Sequence, residues 1–182
     1  MKQTTCCIIG HPINKFTFRY NETQEKCIKL KMKLAVHIEE MRNKGVITFL
    51  ASMAQIEGIW GAEIVLDLKR AYPDDQIRLV VIIADKKRLS RCPPYYCERY
   101  FNILAKANQT IILQKHYAKN PFHSCGCFMA DVSAHIIAIS NGKSGATRHT
   151  LKYVRKNRLE IVLINPKDIT KTPVWPLKLF DR

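Results

Sequence analysis

The chain has 182 residues, 47% of them hydrophobic, enough for one α/β domain with a sizeable core and too many for a disordered chain. Its apolar runs all stop short of the roughly 18 to 20 residues that cross a bilayer, which excludes a helical membrane protein. Thirty basic against 15 acidic residues give a formal net charge of +15, a surface suited to nucleotides, nucleic acid or an acidic protein partner.

The first apolar run, TTCCIIG (4–10), reads as a strand closed by Gly10. Its CCIIG core is too short for a signal peptide, so a cytoplasmic protein is expected. After the polar loop HPINKFTFRY, Asn21 with Gln24 three residues on reads as a variant capping box. Cys27, Leu30, Leu34, Ile38 and Met41 then recur at helical steps, predicting an amphipathic helix over 22–44. Gly45 stops it as a left-handed glycine would.

VITFLA (46–51) is the second strand, and Ile56, Ile59, Trp60, Ile64 and Leu68 mark a helix running to the YPDD turn (72–75). Trp60 reads as a buried structural residue. IRLVVIIA (77–84) is continuously apolar, as a strand covered on both faces must be. The basic loop DKKRLSRCPP precedes a helix around Tyr95–Ala107. TIIL (110–113), HIIAI (135–139) and EIVLI (160–164) add three strands. A loop and short helix (115–133) lie between the first two of these, and the helix after Gly145 between the last two.

Strand–helix alternation repeated five times predicts an α/β fold: a single Rossmann-like, doubly wound, mostly parallel sheet with helices on both faces. Residues 1–166 are expected to form the domain. Residues 167–182 form a tail whose two prolines bar a central strand and whose Trp175 offers an anchor on the body. Ligands of such sheets sit beyond the carboxyl ends of the strands, where the order reverses. That places the candidate site on Gly10–Pro12, Ala51–Gln55, Ala84–Lys87 and Asn141–Thr147.

Seven cysteines are an odd number in a chain too large to need disulfides, so free thiols are expected. CPPYYC (Cys92, Cys97) and HSCGC (His123, Cys125, Cys127) are wider or less regular than paired zinc ligands, and no metal site is assigned to them.

The stretch ISNGKSGATRHT (139–150) carries the clearest chemistry. A turn entering a helix offers unpaired N–H groups and the positive end of the helix dipole. Here Gly142 and Gly145 supply the turn, Ser144 and Thr147 hydroxyls, and Lys143 and Arg148 charge. The same pattern also serves as plain connection.

TTCCIIGH, WGAEIVLDLKRAYP, ERYFNIL, MADVS and NGKSGATRHTLKYV occur in one order along the chain. From about Thr4 to Pro166 the sequence resembles the YpsA-like family of the SLOG superfamily, Rossmann-like proteins that include DprA and the LOG phosphoribohydrolases. The resemblance implies a nucleotide-derived ligand, ADP-ribose or a nucleotide sugar being the usual proposal, and a sensor or regulatory role with no required cofactor. It places Gly10 and His11 in the first loop, Ser52 and Met53 in the second, Asp131 in the MADVS motif, and Gly142, Gly145 and Thr147 in the phosphate loop; Lys143 and Ser144 join them as ligand contacts.

The departures from the family pattern concentrate on the site. Pro12 stands in place of arginine, Ile56 of a glycine, Gly58 of an aspartate, and Ala146 of the second glycine of the phosphate loop. Cys125, Gly126 and Cys127 replace an arginine–asparagine–arginine cluster.

LOG-type hydrolases carry a glutamate at the start of the helix after the phosphate loop, whereas TRHTLKYV has no carboxylate in two turns. Asp131 and Glu57 are acids that nothing in the sequence pairs, and His11 reads as a hydrogen-bonding residue or a base. A non-enzymatic ligand-binding protein is therefore expected. The +15 charge and the Tyr95, Tyr96, Arg99, Tyr100 interleaving keep nucleic acid as a secondary partner, against the reading that Tyr96 and Tyr100 pack on the sheet. A scaffold acting through protein contacts is a further alternative, and the oligomeric state, homo-oligomer included, stays open.

Overall fold

Six short apolar runs become strands, and the central ones, β1, β2, β3 and β5, bury side chains on both faces of the sheet. The structure, a computed structural model, describes residues 2–10, 21–84, 94–113, 121–141, 146–156 and 159–169. In chain order the elements are β1 (Thr5–Gly10), α1 (Glu25–Asn43), β2 (Thr48–Ser52), α2 (Ile56–Ala71), β3 (Arg78–Ile83), α3 (Pro94–Lys106), β4 (Gln109–Ile112), α4 (Pro121–Asp131), β5 (His135–Ile139), α5 (Ala146–Lys156) and β6 (Glu160–Ile164). The tail with Trp175 lies outside the described residues beyond Ile169.

The strands form one sheet in the order β4-β3-β2-β1-β5-β6, and every neighbouring pair is parallel. The sheet is thus wholly parallel, a stricter arrangement than the mostly parallel one the alternation predicts. Successive strands step outward from β1 through β4. The chain then crosses to the other side of β1 for β5 and β6, which makes the β1–β5 boundary the switch point.

Alternate side chains of β1 feed two separate cores. Cys6 and Ile8 join Leu30, Leu34 and Ile38 of α1, Ile59, Trp60 and Val65 of α2, and Ile103 of α3. Cys7 and Ile9 join Cys125 and Met129 of α4 with Leu151 and Val154 of α5. Helices α1–α3 cover one face and α4–α5 the other. Trp60 is fully buried, as its helical position predicts.

The start of α1 departs from the sequence reading. Asn21 does not cap the helix: its side-chain oxygen accepts from the Thr23 N–H (3.1 Å) and the Thr23 hydroxyl (2.6 Å), closing a local Asx turn. Gln24 is the N-cap and makes no side-chain cap bond, so the helix begins three residues later than a box at Asn21 requires. The C-terminus behaves as read. Gly45 sits at φ +86, its N–H donates to the Arg42 carbonyl (2.8 Å), and the Val46 N–H donates to the Met41 carbonyl (3.0 Å), a Schellman closure.

Two glycines let α2 lie close to the sheet. A Cβ at Gly58 would collide with the Ser52 carbonyl oxygen, and one at Gly61 would meet the Ile8 side chain at 2.8 Å. Tyr96 and Tyr100 of α3 are buried in the α1–α3 core. Arg99 between them donates to both Glu63 oxygens and to Glu22, each at 2.6 Å. Tyr96, Arg99 and Tyr100 are thus engaged in packing and ion pairing. No helix among the described residues is long and apolar enough to cross a membrane.

Candidate functional site

In a parallel α/β sheet each strand ends where the following helix begins, so strand C-termini and helix N-termini share one edge. Gly10, Ser52 and Ile139 end β1, β2 and β5 on that edge, and Gly10 pairs with Ile139 across the switch point. Three elements meet at Gly10. Its carbonyl accepts the hydroxyl proton of Thr147, the second residue of α5, at 2.6 Å. On the other side Glu57, the second residue of α2, lies across the Gly10 backbone: a Cβ there would stand 2.5 Å from Glu57 Cγ and 2.7 Å from its carboxyl carbon.

Gly10 and Thr147, which read from sequence as ligand contacts, also touch each other here, and Gly10 touches Glu57. The space left by the missing Cβ of Gly10 is filled by Glu57. A threonine hydroxyl has one proton, and a carbonyl can only accept, so Thr147 gives its proton to Gly10 and keeps acceptor lone pairs alone for any neighbour. At this end of α5 the first turn presents the positive end of the helix dipole. That first turn carries no acidic residue.

Glu57 is the anomalous group. It is 0% exposed, and neither carboxyl oxygen accepts a hydrogen bond from another residue. Burial pushes its carboxyl well above the ordinary carboxylate range, and its own backbone N–H offsets only part of that shift. Burial without an outside partner favours the protonated carboxyl, one donor and one acceptor, at the C-terminal edge of the strands. The N-cap of the same helix, Gln55, makes no side-chain cap bond.

Ser52 ends β2 with its hydroxyl oxygen accepting from the Ala54 N–H (3.3 Å) and 3.6 Å from the Cys125 thiol. Met53 is buried in the core, and its N–H continues the ladder to the Ile82 carbonyl (3.1 Å). Asp131 is not brought to this group. It ends α4, immediately before β5, and so lies on the opposite edge of the sheet, where the Tyr153 hydroxyl donates to it at 2.7 Å. His11, Gly142, Lys143, Ser144 and Gly145 lie outside the described residues. The structure therefore gathers Gly10, Ser52 and Thr147 on one edge and adds Glu57, which the sequence marks only as an unpaired acid.

No group of three His, Cys, Asp or Glu side chains that could hold an ion occurs among the described residues, and Cys92 and the His123 side chain lie outside them. Burial pushes the Cys7 thiol up to about 12 and raises Cys125 and Cys127 as well, which keeps these thiols protonated and poorly nucleophilic.

An open, wholly parallel sheet with helix N-termini converging beside its switch point defines a Rossmann-like protein, its candidate site at the C-terminal ends of β1, β2 and β5. The family model described as the YspA SLOG family, YpsA, matches residues 6–169. The chain belongs to that family, whose fold is a nucleotide-related binding fold. No match is found among curated proteins.

Proposed function

We propose that the chain binds a nucleotide-derived small ligand of the ADP-ribose or nucleotide-sugar kind, without chemical turnover, as a cytoplasmic sensor or regulatory protein. The observation that carries this reading is the meeting of two helix N-termini at the end of β1, with Glu57 of α2 and Thr147 of α5 on either side of Gly10. The positive ends of two helix dipoles suit a diphosphate. The absence of a carboxylate from the first turn of α5 supports binding over hydrolysis of an N-glycosidic bond. No cofactor is required by this role.

A ligand selective for the folded state must raise its melting temperature. A thermal-shift series with ADP-ribose, cyclic ADP-ribose, NAD, ATP and cyclic dinucleotides is expected to show stabilisation by at least one diphosphate-bearing nucleotide. A flat response across the series would remove the nucleotide reading.

A further inference from the structure

Folded proteins satisfy nearly all their buried polar groups, and a carboxyl without partners loses its hydration with nothing in exchange. Glu57 is such a group: fully buried, with no hydrogen bond from another residue at either oxygen, and lying over the C-terminal end of β1. Nothing in the packing of α2 calls for a carboxyl here, since Ile56, Ile59 and Trp60 around it are apolar and buried. A methionine or leucine would fill the space over Gly10 without the desolvation cost. The position makes sense if a guest supplies the missing partners.

The chemistry of the guest follows from the group. An ionised carboxylate would repel a phosphate, while a neutral carboxylic acid tolerates one nearby and offers a donor and an acceptor side by side. Adjacent hydroxyls of a sugar present the complementary pair. We propose that Glu57 is the recognition residue for the hydroxyl-bearing sugar of the ligand, while the phosphates lie at the helix N-termini. This rests on the nucleotide reading above and assigns one part of that ligand to one side chain. Water is the competing guest, and it makes the opposite forecast for a ligand.

Isothermal titration of wild type, E57M and E57Q with ADP-ribose and with inorganic pyrophosphate separates the two. E57M keeps the volume and removes the hydrogen bonds; E57Q keeps a donor and an acceptor. For E57M a loss of about tenfold or more in ADP-ribose affinity is expected, with pyrophosphate affinity held within about twofold and E57Q close to wild type. ADP-ribose affinity unchanged in E57M would overturn the proposal and leave the nucleotide reading standing. An equal loss for pyrophosphate would also overturn it, since Glu57 would then shape the whole crevice. If neither ligand binds the wild type, the nucleotide reading falls and takes the proposal with it. Should E57M not fold, the infrared carboxyl band absent from E57Q reads the same contact in the wild type. It is expected to shift when ADP-ribose is added, and an unmoved band with ADP-ribose bound would overturn the assignment.

Discussion

At the scale of single residues, the end of β1 is governed by what Gly10 lacks. Without a Cβ the strand end admits the Glu57 side chain, and the burial that results strips the carboxyl of water. The consequence for stability has a definite sign. In the unfolded chain Glu57 ionises near its ordinary value of 4.5; in the folded protein it holds its proton to higher pH. Above that value the unfolded state binds fewer protons, so stability falls as pH rises until the folded group itself ionises. E57Q cannot ionise and escapes this penalty. Urea midpoints should therefore show E57Q gaining on wild type from about pH 4.5 upward, by at most about 1.4 kcal/mol per pH unit, with the gain absent below it. A difference that ignores pH would mean that Glu57 is ionised in the folded protein. Sequence alone shows this residue as one acid in an apolar helix, QIEGIWGAEI. It could not reveal that the acid points at the sheet, because helical spacing fixes the face of a side chain only once the first turn is placed against Gly10.

At the scale of elements, the Thr147–Gly10 hydrogen bond anchors α5 to β1. The sequence reading counted the Thr147 hydroxyl as a phosphate donor; the structure engages its only proton elsewhere. T147V tests the difference, since valine matches the shape and cannot donate. It is expected to lower stability by about 1 kcal/mol, the worth of one hydrogen bond to a buried carbonyl, while pyrophosphate affinity stays within about twofold of wild type. Stability unchanged with a tenfold drop in pyrophosphate affinity would show that the hydroxyl turns to the ligand. The elements themselves were legible to within a few residues. Hydrophobic runs locate strands, and β5 and β6 begin and end where HIIAI and EIVLI do. The start of α1 was missed because Asn21 and Thr23 satisfy each other locally, an option that a capping pattern does not exclude. The motif resemblance grouped Asp131 with the site, yet its place just before β5 puts it on the far edge. Motifs record which residues a family shares and not the edge of the sheet to which each belongs.

At the scale of the whole molecule, charge and site make separable demands. A net charge of +15 repels itself at low ionic strength, where the Debye length of about 30 Å at 10 mM spans the domain. The described ion pairs, such as Lys29 with Glu25 and Lys44 with Glu160, lie mainly on the surface and contribute little individually. Added sodium chloride should therefore raise the melting temperature by screening, with no saturation at a fixed stoichiometry. Pyrophosphate at matched ionic strength distinguishes a site from a field. If the helix N-termini beside β1 hold a diphosphate, millimolar pyrophosphate gives a further, saturable rise. At a hundred times its dissociation constant the gain is about 2.7 kcal/mol, or roughly 5 to 10 °C for a domain of this size. The same rise should persist in E57M, whose loss is confined to the sugar. A melting temperature that follows ionic strength alone, whichever anion supplies it, would reduce the basic charge to a general attraction for polyanions and leave the end of β1 without an anion site.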